Sequence, residues 1–516
     1  MARNVSEDIY LLIKSLSKGE KRYFKLYASL GVSGEDASYL KMFDMIEEQK
    51  KYDEPKIMRK FAGVTSLQFA NRKKHLYGLI LESLRLYHSD HSVDAKLWNN
   101  LCQIEVLYDK QLISQCGKLI DKTKALANQF GKHRILQEII TWEERLLVET
   151  IASEKTEHEI QTLYTENLRQ NELSRNVTIL RQLLNDTVKF FRKGGLLRTK
   201  EGIAELNKLM KHPLLQDEKK LKTYHEQYHF LSIWGMYHML LSDWKKSYAF
   251  RKKHLDLIEE HPHHIEDSPR LYTSALNSYI LCCEYTHRAE ELEKTFGKVR
   301  AMLNNPANAN KHAVLFRLLG CCASVLHFYI SSGNFEKGKE LIEQIENSFG
   351  KLSPDISKSF EMSMYYTLAY MYFGAGDYKK SLHWMNKILN DTSSGVRDDI
   401  LVSARLFNLI LHFELGNENL IEYNVKSTYR FLLGKNRLFK IETIVLDYIR
   451  KKMPRTNSKK EITDAFAELK KEIEKISRDP FEKKSLEYFD YISWLESKIT
   501  GNKFAEVMKQ KYNSSK

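Results

Sequence analysis

The chain has 516 residues, a net charge of +14 and a pI near 9.1. That length exceeds one ordinary compact core and predicts two to four domains or one extended array. With 8 prolines and 22 glycines against abundant Leu, Lys, Glu and Ile, helix breakers are scarce, so the first expectation is an all-α protein.

Taken in chain order, residues 1–90 read as a basic helical N-terminal module. The start lacks the charged and apolar regions of a secretory signal. Ser17-Lys-Gly-Glu20 is a capping-box pattern opening a helix with Tyr23, Phe24 and Tyr27. Glu54-Pro55 opens another helix, and Leu67 to Tyr87 reads as one long helix. Residues 91–220 continue as long amphipathic helices with breaks near Gly194-Gly195 and His212-Pro213.

From 221 to 425 the chain repeats itself. Ser242-Asp243-Trp244, Thr286-His287-Arg288, Gly333-Asn334-Phe335, Gly376-Asp377-Tyr378 and Gly416-Asn417-Glu418 align as turns, with starts 44, 47, 43 and 40 residues apart. Prolines 213, 262, 306 and 354 recur at spacings of 49, 44 and 48, where second helices should end. Gly accepts the left-handed conformation that closes a first helix, and Asp or Asn caps the second. In the best unit, Met364, Tyr365, Leu368, Ala369, Met371, Tyr372 and Phe373 leave almost no polar face, as an inner helix packed on several sides requires. Residues 426–516 are further charged helices with breaks at Pro454 and Pro480.

The unit at 363–390 resembles a tetratricopeptide repeat. Leu368, Ala369 and Tyr372 occupy the family's Leu, small-residue and Tyr positions ahead of the Gly-Asp-Tyr turn, and Ser381 stands where the family prefers Ala. The resemblance weakens at 322–346 and 228–250, and the 40–47-residue period exceeds the family's 34. It implies an irregular α-solenoid of antiparallel helix pairs whose first helices line a groove for a peptide or helix. The groove-facing positions would be Tyr366, Tyr370 and Phe373, then Ala323, His327 and Ile330, then Ser232, Met236 and Met239. No carboxylate clamp of the chaperone-binding members is present at these positions.

Two basic concentrations stand outside the best repeats. Residues 56–85 carry seven basic side chains against Glu82, and residues 426–460 carry eleven against Glu442 and Asp447. In the first, a short helix, the turn Gly63-Val-Thr-Ser66 and a longer helix bearing Arg72, Lys73 and Lys74 have the outline of a helix-turn-helix, whose second helix would enter a major groove.

Catalytic motifs are few. His225-Glu226-Gln227-Tyr228-His229 is an HExxH pattern that places two histidines on one helical face to hold zinc, with the glutamate as general base. Ser232 and Gly235 stand where the longer zinc-peptidase signature needs glycine and histidine, and no glutamate lies between 230 and 258. His254, His261, His263 and His264 crowd around Pro262 without cysteine or carboxylate at ligand spacing. Neither GxGxxG nor GxxxxGKS/T nor GxSxG occurs. The six cysteines (102, 116, 282, 283, 321, 322) lack CxxC spacing and read as small buried residues in a reducing cytoplasm. No run of 18 apolar residues is seen, so no membrane span is expected.

The reading is a cytoplasmic, non-enzymatic helical-repeat scaffold or adaptor, without cofactor, that binds a protein partner through its groove. The alternative is a nucleic-acid-binding regulator with residues 1–90 as reader. A zinc hydrolase built on His225 and His229 stands third.

Overall fold

The structure, a computed structural model, describes residues 7–30, 36–61, 63–90, 92–150, 154–194, 200–308, 312–349, 358–391, 398–434, 440–448, 459–478, 486 and 488–514. These residues are helical throughout and contain no strand. They pack as two compact units, Met1–Ile233 with Leu257–Asp267, and Trp234–Asp256 with Ser268–Lys516. The first unit runs through both expected boundaries near 90 and 220, neither of which falls inside a helix, while the expected boundary at 425 falls within the helix Glu418–Gly434.

The first unit begins with α1 (Asp8–Ser15), α2 (Lys18–Leu30), α3 (Asp36–Glu48), α4 (Glu54–Arg59) and α5 (Ser66–Tyr87). Their shared core contains Ile13, Phe24, Phe43, Ile46, Phe69, Leu76 and Ile80. The capping box at Ser17 forms: Ser17 N–H donates to Glu20 at 2.7 Å, and Glu20 N–H donates to Ser17 Oγ at 3.3 Å. Next come α6 (Val93–Asp109), α7 (Ile113–Gln129), α8 (His133–Thr150), the 41-residue α9 (Glu154–Gly194) and α10 (Lys200–Met210). Helices α6 to α8 share a core of Leu97, Ile104, Cys116, Ile120 and Ile139, and α8 packs along α9. Short 3-10 turns at Pro213–Leu215 and Glu218–Lys220 match the expected break.

The chain crosses to the second unit within α11 (Tyr224–Leu240) and back within α12 (Trp244–Glu259), with α13 (Pro262–Asp267) in the first unit. The second unit then adds α14 (Pro269–Tyr285), α15 (Ala289–Asn304), α16 (His312–Ser331), α17 (Phe335–Phe349), α18 (Lys358–Gly374), α19 (Tyr378–Leu389), α20 (Asp398–Glu414) and α21 (Glu418–Gly434). Each first helix packs on its own second helix, and α14, α16, α18 and α20 pack in succession on one another. The unit closes with α22 (Lys440–Asp447), α23 (Lys459–Ile476), α24 (Tyr491–Thr500) and α25 (Phe504–Ser514). Pro262 begins a helix and Pro306 a 3-10 turn; Pro354, Pro454 and Pro480 lie outside the described residues.

Every expected turn has one geometry. Gly376 is left-handed at φ +80°. Its N–H bonds Phe373 O and the next N–H, of Asp377, bonds Tyr372 O, both at 2.9 Å. Ser242, His287, Gly333 and Gly416 repeat this pair of bonds at positive φ. So do Gln111 and Gly131, which close α6 and α7 and carry no signal that sequence reading caught. Five residues after the left-handed position, Ser247 and Ser381 donate to the carbonyls of Gly235 (2.8 Å) and Ala369 (2.6 Å), twelve residues back. A small side chain there lets the second helix lie close on the first.

Ala313–Ser331 is long and apolar enough by composition to cross a membrane, and 61% of that window is buried inside the fold. Its apolar surface goes to packing against α14, α15, α17 and α18.

Candidate functional site

The aromatic face expected to receive a partner is covered by the chain's own C-terminal segment. Tyr366 and Tyr370 are each 7% exposed and Phe373 is 2% exposed. Tyr366 Oη donates to the Tyr488 carbonyl at 3.2 Å, and the Asp490 N–H donates to Tyr370 Oη at 3.0 Å. The Tyr370 ring lies 5.2 Å from Phe489, and Phe373 lies 5.4 Å from Phe489 and 5.5 Å from Phe504. Burial holds both tyrosine phenols protonated, far above their ordinary range. The expectation of an open groove at these three residues is therefore corrected. α18 lacks a polar face, and bare aromatics of that area must be buried by something.

Further contacts extend the clasp. Trp494 Nε1 and Lys498 Nζ both reach the Glu414 carboxylate, at 2.7 and 2.6 Å. Gly333 lets α25 approach so closely that a Cβ would sit 2.7 Å from Ala505 O and Lys509 N. Tyr512 meets Phe328 and His287 at ring distances of 6.2 and 5.6 Å. Seven apolar side chains among the segment's described residues are buried: Phe489, Tyr491, Trp494, Leu495, Phe504, Val507 and Met508. At about 1.5–3 kcal/mol each, their release would exceed 10 kcal/mol, comparable with the whole stability of a typical domain. The clasp is thus part of the core. The glycine-rich turn Gly374–Gly376 borders a cavity of about 430 Å³ with Lys498, Lys503 and Phe504.

The other expected groove residues differ in exposure. Ser232, Met239 and Ile330 are buried, whereas Ala323 and Met236 are half-buried. The His327 side chain is 58% exposed and bonds Glu284 at 2.6 Å. Desolvation opposes its charge, yet the Glu284 carboxylate outweighs it and raises the pKa above the ordinary histidine value.

The HExxH residues build a helix start. Glu226 Oε2 accepts from Thr223 N–H (3.1 Å), Thr223 Oγ1 (2.8 Å) and Lys222 N–H (3.2 Å), while Oε1 accepts from Asn176 (3.2 Å). Glu226 N–H returns to Thr223 Oγ1 at 3.3 Å, completing a capping box for α11. A carboxylate so engaged is no general base. His225 Nε2 bonds the Phe130 carbonyl at 3.0 Å, which makes that nitrogen a donor. Burial lowers the His229 pKa to about 4, assisted by the nearby His225 and Arg181 charges. His264 stacks on Tyr224 at 3.8 Å, and burial followed by repulsion from His225, His263 and His261 lowers it to about 3. Among the described residues no three His, Cys, Asp or Glu side chains converge to hold a metal. The zinc arrangement is not what these residues form.

In the N-terminal module, two of the three expected nucleic-acid contacts turn inward. Arg72 donates to Ser38 Oγ at 3.4 Å and lies 6.0 Å from the Phe61 ring. Lys73 pairs with Glu54 and lies 5.8 Å from the Phe69 ring. Lys74 alone is exposed. Five cysteines are buried, but Cys102 is exposed, against the expectation for all six.

Comparison with known protein families, curated proteins and solved structures finds no match for this chain. The clasp residues Tyr488, Phe489, Trp494 and Phe504 were missed by sequence reading. Their one signal is the aromatic density of 488–494 among otherwise charged helices.

Proposed function

We propose that this chain is a non-enzymatic, tetratricopeptide-like scaffold or adaptor of the cytoplasm that binds a protein partner on the face of its helix pairs. The support is one observation. The residues that the family resemblance marks as ligand-facing, Tyr366, Tyr370 and Phe373, grip another stretch of polypeptide through two hydrogen bonds to its main chain and through tilted and edge-on ring contacts. The successive packing of α14, α16, α18 and α20 supports the repeat reading. Because the clasp fills the Tyr370 end, an external partner would use the uncovered positions, Met236 and His327, where a side chain remains accessible.

Captures of binding proteins with the wild-type chain and with variants at the half-buried Met236 (Met236→Asp) and the exposed His327 (His327→Asp) test this. At least one partner retained by wild type should be lost by each variant. Identical partner sets for all three would remove the reading.

A further inference from the structure

We propose that α5 is a self-association surface: its outward face pairs with the same face of a second copy of this chain, antiparallel and crossing at Gly78. This pairing is independent of the scaffold reading and concerns the first unit alone.

One side of α5 is spent on the module core through Phe69, Leu76, Ile80 and Ser83. The opposite side is not the charged stripe of an ordinary solvated helix. Leu67 is 72% exposed, Leu81 44% and Tyr77 37%, and Ala70 is exposed with them. At 3.6 residues per turn these four fall within about 80° of arc.

Gly78 stands at the centre of the outward face. A Cβ there would meet nothing within 4 Å, so this mid-helix glycine has no packing role inside the fold. Its missing side chain leaves a shallow trough of about 780 Å³, bordered by Asn71, Lys74, His75, Leu81, Glu82 and Arg85. A notch of this kind lets a second backbone approach closely.

The charges around the notch select its occupant. Lys74 lies four residues before Gly78 and Glu82 four residues after it. With a twofold axis at Gly78 and antiparallel helices, a residue ahead of the glycine stands opposite the one equally far behind it in the other copy. Each Glu82 then meets the other copy's Lys74. Farther out Arg85 meets Asn71, so no like charges stand directly opposite. Leu81 and Tyr77, on one flank of the notch, pack on their counterparts. Lys74, Gly78 and Glu82 also form an i±4 row, the row that two helices interdigitate at the common crossing angle of about −50°. A parallel pair would instead set lysine on lysine and glutamate on glutamate.

Both charges are available. Lys74 is exposed and has no ion pair among the described residues. Glu82 is exposed, and while it accepts the Tyr27 hydroxyl, a carboxylate has room for further donors. By contrast, α21 also exposes large apolar side chains, Leu420, Tyr423, Tyr429 and Leu433, but Lys426 and Arg430 hold the middle of that face. A reversed copy there would set cation against cation. A foreign helix would need the reversed charge order of α5; a second copy has it by symmetry. A single helix crossing buries less than about 1,200 Å², the range of weak and reversible complexes.

The test is sedimentation equilibrium of the full chain. Wild type should move from the 60.7 kDa monomer toward the dimer between about 1 and 200 µM. Gly78→Arg fills the trough; with nothing within 4 Å it should fold normally by circular dichroism and stay monomeric. Glu82→Lys sets like charges opposite and should weaken the dimer by about tenfold or more. Lys74→Glu/Glu82→Lys exchanges the two charges and should restore it. The proposal is overturned if wild type stays monomeric up to about 200 µM. It is equally overturned if Gly78→Arg or Glu82→Lys dimerises as wild type does, or if the exchanged variant does no better than Glu82→Lys.

Discussion

The backbone N–H of Asp490 donates to the phenol oxygen of Tyr370 at 3.0 Å across 120 residues of sequence. Tyr370 thereby does for the chain's own C-terminal segment what the repeat resemblance assigns it to do for a partner. Tyr370→Phe removes this bond and should cost about 1 kcal/mol, while Tyr370→Ala should cost about 3–5 kcal/mol by opening a cavity under Phe489. Urea unfolding of the two variants checks both values; equal costs would show that the ring contributes no packing.

Two glycines with the same left-handed backbone should respond differently to substitution. Gly416, at φ +69°, has open space around a hypothetical Cβ, so Gly416→Ala should cost only the conformational term of about 1–2 kcal/mol. Gly333, at φ +70°, faces the backbone of α25 at 2.7 Å. Gly333→Ala should cost clearly more and loosen the clasp, seen as faster amide exchange in 504–514. A similar stability for both variants would contradict the close approach.

Glu226→Gln retains the shape of the side chain but removes the charge that gathers four donors at the start of α11. A destabilisation of about 1–2 kcal/mol is expected in urea unfolding. An unchanged midpoint would show that the capping box is dispensable.

The buried histidines set an acid limit. His229 and His264 are held near about 4 and about 3, below the ordinary value of 6.5. Above pH 6.5 both states are neutral and stability is unaffected. As pH falls from 6.5 toward these folded values, the unfolded chain takes up protons that the fold refuses. Each histidine then removes about 1.4 kcal/mol per pH unit. His264→Phe keeps a ring against Tyr224 and should flatten the decline in urea midpoint between pH 6.5 and 4.5. A slope identical to wild type would place the acid sensitivity elsewhere.

What the sequence determined by itself was local. An all-helical chain, the Ser17–Glu20 box, the long helix at 66–87 and the turns at Ser242, His287, Gly333, Gly376 and Gly416 all depend on residues within about five positions of one another, and such chemistry is written in short stretches. Gln111 and Gly131 escaped notice because they lie only 20 residues apart and far ahead of Ser242, outside the 40–47-residue spacing that marked the other turns. Only tertiary packing decided which apolar surfaces meet. It placed Phe489 and Phe504 over Tyr370, turned Lys73 inward to Glu54, and spent Glu226 on a helix cap. Apolar burial is non-directional, so an aromatic helix face states that it must be covered without stating by what.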